Sequence, residues 1–250
     1  ARGLDLDALA AALSQEPRPR ALVVVPDFHN PLGRSLDEAA RDQVVALARR
    51  AGVALVEDDP YGLLRFSGDS PAPLLARAPE RTIYLGSFSK LVAPALRAGW
   101  LIAPRGLTDK LRVIKESVDL ETSAFIQRAL ARFLAAGQLD EHLALVRRTY
   151  QERCAVMLES LAEHFPPGSR WTRPEGGMFI WVELPSHLNL DTLALLPRVV
   201  DQGVAYIPGA AFAPEGAARA MRLNFSNAQP EKIRQGIALL GAALRQAAGG

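Results

Sequence analysis

Three short apolar runs, each ending in polar residues, constrain this chain more than any other feature. Ala21-Leu22-Val23-Val24-Val25 is a continuous β-branched run of the kind a parallel sheet buries on both faces. It leads into Pro26-Asp27-Phe28-His29-Asn30-Pro31-Leu32-Gly33, a loop by its Pro, Asn and Gly content. Ser35-Leu36-Asp37-Glu38 then reads as a capping box, with Ser35 at the N-cap of a helix that runs to about Arg50 and stops at Gly52. Val53-Ala54-Leu55-Val56 is the second run and ends in Glu57-Asp58-Asp59-Pro60-Tyr61; Thr82-Ile83-Tyr84-Leu85 is the third and ends in Gly86-Ser87-Phe88-Ser89-Lys90. Strand, helix and strand in this rhythm specify an α/β fold with a mostly parallel, doubly wound sheet. Ligands of such sheets bind at the carboxyl ends of the strands, where these polar residues stand.

Elsewhere the pattern is more mixed. Leu4–Leu13 has helical spacing, Phe66–Arg81 reads as a surface excursion rich in Pro, Asp and Ser, and Gly99–Ala103 is a further strand. Helices are expected near 109–118 and 123–136, and Leu139–Phe165 reads as one long helix. Beyond Pro166-Pro167-Gly168 come shorter strands, near 178–183, 204–207 and 221–225, with helices near 191–201 and 230–246. The expected division is a large domain over 1–138 and a smaller C-terminal α+β domain over 139–250, entered by the long helix.

Composition narrows the partners. Lys+Arg 29 against Asp+Glu 27 leaves a net charge of +2, and no basic block suggests a nucleic acid. No apolar run approaches a membrane helix, so no membrane partner is expected. Cys154 stands alone and reads as a small buried apolar residue, while the four His lie apart with no metal spacing. The start, Ala1-Arg2-Gly3, has neither an initiator Met nor a signal-peptide layout, so the chain reads as the interior of a longer cytoplasmic protein.

The chemistry concentrates after the third strand. Two hydroxyls, Ser87 and Ser89, with Arg97 seven residues beyond Lys90, suit a phosphate, because Ser donates and Arg supplies a bidentate fork. Lys90 beside such an anion is a candidate Schiff-base lysine; a solvated loop with an ordinary surface lysine is the other reading. Asp58 alone would suit a cap of the next turn, Asn30 alone a turn, and Arg222 alone an exposed site on an alternating strand.

With Asn30-Pro31-Leu32-Gly33, Asp58-Asp59-Pro60-Tyr61, Ser87-Phe88-Ser89-Lys90, Arg97 and Arg222 in this order, the chain resembles the class I/II aminotransferases of fold type I, which depend on pyridoxal 5′-phosphate. The likeness is closest to the group that includes 2-aminoadipate aminotransferases. It implies a PLP-dependent transferase-like fold and movement of an amino group between an amino acid and a 2-oxo acid. Lys90 then matches the lysine that carries the cofactor and moves the substrate proton. Asp58 matches the carboxylate paired with the pyridine nitrogen, and Tyr61 and Asn30 the groups that hydrogen-bond the phenolic oxygen. Ser87, Ser89 and Arg97 match phosphate ligands, whereas Arg222, with Asn30, matches the grip on the substrate carboxylate. Gly176-Gly177-Met178-Phe179 resembles a small-domain motif near the substrate. The resemblance also implies a homodimer.

Leu32 and Pro60 depart from the commoner Thr and Ala of the family. Nothing here matches the family's Gly-rich phosphate loop or the aromatic that stacks on the cofactor ring, so the chain reads as the C-terminal two-thirds of an enzyme and is not expected to be fully active alone. Two other outcomes fit the same motifs: a different fold-type I reaction, such as a lyase or decarboxylase, and the effector domain of a GntR/MocR-type transcription regulator.

Overall fold

The computed structural model describes residues 3–213 and 215–248; Ala1 and Arg2, on which the reading of the chain start partly rests, lie outside the described residues. Two units emerge, one of residues 3–27 and Ser35–Val146, the other of Phe28–Arg34 and residues 147–248.

The first unit opens with α1 (Leu6–Leu13), β1 (Ala21–Val24), α2 (Glu38–Ala51) and β2 (Ala54–Asp59). It continues with α3 (Leu74–Arg77), β3 (Thr82–Ser87), α4 (Phe88–Leu91) and β4 (Gly99–Ile102), then α5 (Arg105–Asp119) and α6 (Ala124–Ala135). The sheet order is β1-β2-β3-β4; the first three strands are parallel and β4 is antiparallel. An α/β fold with a mixed, mostly parallel sheet is therefore observed, as the strand rhythm requires. Leu22, Val24 and Leu55 point to one face and pack with Leu13, Val44, Val45, Leu47, Ala48 and Leu74, drawn from α1, α2 and α3. The other face carries Val23, Val56, Asp58 and Leu85, by the two-residue period of the strands.

Two local expectations change. The N-cap of α2 is Asp37, not Ser35: the Asp37 carboxylate accepts from Ala40 N at 2.8 Å, and Asp37 has the extended backbone of a cap. Ser35 Oγ instead accepts from Arg65 Nη2 at 3.1 Å. The excursion 66–81 is not all surface, because Leu74 and Ala78 are fully buried. What holds it is Glu57, fully buried, which accepts from Leu74 N and Leu75 N at 2.8 Å each. Those two bonds offset the burial that pushes the Glu57 carboxyl above its ordinary range. They also explain how β2 continues through three acids where the apolar run ends.

α7 (Gln138–His164) is the long helix, and the division between the units falls within it. The second unit adds β5 (Arg170–Trp171), β6 (Phe179–Glu183), α8 (Thr192–Val200), β7 (Ile207–Pro208), β8 (Ala220–Asn224) and α9 (Pro230–Ala248). Its sheet is antiparallel in the order β5-β6-β8-β7. Ile180, Val182, Met221 and Leu223 share its buried face, none more than 4% exposed. Phe179, Trp181 and Arg222 share the other, since Trp181 pairs with Arg222. Cys154 is 2% exposed, and burial pushes its thiol up to about 12, the behaviour of a small apolar residue. Among the described residues no helix is long and apolar enough to cross a membrane, and no cluster of three His, Cys, Asp or Glu could hold a metal ion.

Candidate active site

In the first unit the polar residues gather at the carboxyl ends of β2 and β3. Asp58 pairs with Leu85 in the parallel register, so Asp58 and Ser87 project from the same sheet face, two residues apart along β3. Burial, and then the Asp59 charge beside it, push the Asp58 carboxyl above its ordinary range. The role of capping the next turn falls to Asp59. Its carboxylate accepts from Gly62 N at 2.7 Å and from the Tyr84 hydroxyl at 2.8 Å. Asp59 thus braces the turn that holds Tyr61, which is 7% exposed.

Ser87 is the N-cap of α4, its Oγ accepting from Ser89 N at 3.1 Å. A hydroxyl that accepts in this way still has its own proton to donate. α4 is a single turn, anchored at both ends. The Phe88 ring lies on Trp100 with centroids 4.8 Å apart, and the Leu91 carbonyl meets His142 Nε2 at 2.9 Å. Lys90 stands on this anchored turn and is exposed. Arg97, exposed and in the left-handed region at φ 49°, has no carboxylate within ion-pair distance among the described residues.

In the second unit Asn30 and Arg222, 192 residues apart, meet directly: Arg222 Nη1 donates to Asn30 Oδ1. The Arg222 guanidinium lies 4.1 Å from the Phe179 ring centre and 5.1 Å from that of Phe212. Cation–π contact with two rings orients the fork, so Arg222 is not a freely solvated surface arginine.

Asn30 reaches it because the loop 28–34 is pinned at both ends. Phe28, 1% exposed, lies where a Cβ on Gly176 or Gly177 would fall, within 2.2 and 2.5 Å of its atoms. At the other end, a Cβ on Gly33 would stand 2.3 Å from the Phe179 carbonyl oxygen. The Gly-Gly pair therefore serves close packing as well as a bend. Sequence reasoning missed Phe28, Phe212, Asp59 and Tyr84. For Asp59 the signal was present, since an Asp three residues before a Gly is a turn former; for Phe28 and Phe212 there was none.

The family described as Aminotransferase class I and II matches residues 1–240. Aromatic-amino-acid aminotransferase 1 of Thermococcus litoralis is 39% identical over 250 residues, 98% of this chain and 60% of its own. The HTH-type transcriptional regulator YisV of Bacillus subtilis is 35% identical over 217 residues, 86% of this chain and 44% of its own. Among solved structures, LysN, the alpha-aminoadipate aminotransferase of Thermus thermophilus complexed with N-(5′-phosphopyridoxyl)-L-leucine, superposes with a TM-score of 0.91 at 37% identity. That superposition covers 98% of this chain and 63% of LysN. The chain thus spans about 60% of the length of the aminotransferases it matches.

Proposed function

Because the chain belongs to the class I and II aminotransferase family, we propose that the complete protein moves an amino group between an amino acid and a 2-oxo acid, with pyridoxal 5′-phosphate as cofactor. One observation carries this reading: a carboxylate, a phenol, two hydroxyls and an amine all lie in the last residues of two adjacent parallel strands or just beyond them. The residues fit the cofactor. Asp58, held against burial and a like-charged neighbour, gains from a cationic N–H donor, which a protonated pyridine nitrogen supplies. The hydroxyls of Ser87 and Ser89, with Arg97, supply phosphate donors.

When bound, the cofactor supplies an electron sink for the charge that develops at the substrate Cα. Lys90 is the residue that would hold the cofactor covalently through Nζ, and it would take and return the substrate Cα proton. Tyr61 and Asn30 are the groups that would help hold the cofactor by hydrogen bonds. Arg222, oriented by Phe179, Phe212 and Asn30, takes the substrate carboxylate in a bidentate grip. The apolar side chains exposed on α5 and α6, Val113, Val118 and Phe125 among them, support a homodimer.

A screen of amino donors against the PLP-loaded complete protein tests the reading. At least one α-amino acid should convert the cofactor's absorbance to that of its aminated form, and a 2-oxo acid should reverse it. Arg222→Ala should lower kcat/KM by roughly tenfold to a hundredfold with cofactor absorbance unchanged, the loss of one charge-assisted pair. Full activity in that variant would remove Arg222 from the site.

Asp58→Asn should weaken PLP binding at least about tenfold, a lost charge-assisted bond. The same change should raise the stability of the cofactor-free protein. A carboxyl whose folded pKa is raised is stabilising while protonated, and loses that contribution as pH rises through the folded value. The gain should therefore be absent below about pH 4, the ordinary carboxylate range, and grow above it. Melting curves of both proteins across pH 3–8 check the sign.

A second reading is favoured by the likeness to YisV: PLP binding without turnover, in a regulator. Specific DNA binding by the complete protein, with no donor accepted in the screen, would select it.

A further inference from the structure

A second candidate ligand site lies wholly within the second unit, on residues the proposed reaction does not use. Arg34, Arg170 and Arg173, with Trp171, Trp181 and Glu183, line a cavity of about 320 Å³, and the three arginines are exposed. That volume suits a small organic molecule. Arg170 on β5 stands directly across from Glu183 on β6. Among the described residues none of the three guanidinium groups has an ion-pair partner. Glu183 accepts from the Trp181 Nε1 donor at 3.3 Å, so the wall holds one carboxylate against three arginines.

Like charges that share a cavity repel, and an anion between them turns that repulsion into attraction. Two excess positive charges call for two negative ones. The Trp181 indole, 6% exposed and on the same sheet face as Glu183 and Arg170, adds an apolar wall, whereas Trp171 pairs with Val182 and projects from the other face. The Trp181 ring also meets Phe212 edge-on, with centroids 6.0 Å apart, and Phe212 is one of the two rings beneath Arg222. The cavity and the Arg222 grip are thus separate places that share a wall.

We propose that this cavity binds a small organic dianion, a phosphate monoester or a dicarboxylate, through Arg34, Arg170 and Arg173. The complete protein is titrated with inorganic phosphate and, separately, with succinate at low ionic strength, by calorimetry and tryptophan fluorescence. At least one probe should bind saturably, and the Arg170→Gln/Arg173→Gln double variant should weaken it roughly tenfold or more, the loss of two charge-assisted contacts. Tighter phosphate points to a monoester and tighter succinate to a dicarboxylate. Arg97→Gln and Arg222→Gln should leave this binding in place, which separates it from the cofactor and substrate sites. Should the double variant fail to fold by circular dichroism, Arg34→Gln carries the same test. The proposal is overturned if neither probe saturates, if binding survives loss of the cavity arginines, or if Arg97→Gln or Arg222→Gln abolishes it.

Discussion

Lys90→Ala is expected to lower the transamination rate of the complete protein by about 10²–10⁴-fold, the range set by loss of a positioned proton-transfer group. The other lysines of the first unit, Lys110 and Lys115, are both on α5, a separate helix that follows β4. The fold should be untouched, because the Lys90 side chain is exposed and α4 is anchored by Phe88 on Trp100 and by the Leu91 carbonyl on His142. PLP should still bind, through Asp58, Ser87, Ser89 and Arg97, but leave on dialysis. Lys90→Arg should be no better than Ala, since a guanidinium cannot give up its proton near neutral pH. Methylamine added to Lys90→Ala should restore part of the rate. A variant that turns over within tenfold of the parent would refute the role.

For stability the largest effect should come from Arg41→Ala, at a cost of about 3–5 kcal/mol. Arg41 is 1% exposed and makes three bonds: to Asp27 Oδ2 at 2.7 Å, to the Leu36 carbonyl at 3.0 Å and to the Ala72 carbonyl at 3.3 Å. Removing it leaves two carbonyls short of a donor and Asp27, 7% exposed, with Arg65 at 3.0 Å as its remaining charged partner. In a domain of this size the loss corresponds to roughly 6–20 °C in Tm. The exposed pair of Arg49 with Glu80, 3.3 Å apart, is the control, because solvent-screened pairs contribute about 0–1 kcal/mol. Equal, small losses for Arg41→Ala and Arg49→Ala would show that the Asp27 network contributes little.

The same network shows where sequence reading stops. Strand rhythm located β1, β2 and β3, because continuous β-branched runs need only local information. Long-range polar pairing left no such trace. Asp27 meets Arg65 38 positions away, and Arg65 also takes Ser35, which is why the cap of α2 fell two residues later than the capping box suggested. Nor could the triple acid Glu57-Asp58-Asp59 announce three fates. Glu57 faces the buried side and holds Leu74 and Leu75, Asp59 on the same side braces Tyr84 and Gly62, and Asp58 projects the other way. Strand alternation separates them, but only once the strand is known to continue past Val56.

For the candidate site, motif order proposes the residues but carries no trace of what supports them. Asn30 and Arg222 were named from the resemblance, whereas the rings of Phe179 and Phe212 and the Phe28 anchor on Gly176-Gly177 depend on contacts across the fold. Such contacts decide whether an arginine is a fixed fork or a mobile charge.

The central claim is that Lys90 carries the cofactor. Reducing the PLP-loaded complete protein with borohydride fixes the pyridoxyl group to the amine that holds it, and peptide mapping then locates that amine. The account predicts one labelled peptide, with the label on Lys90. A label on Lys110, Lys115 or Lys232, or no stoichiometric label at all, would contradict it.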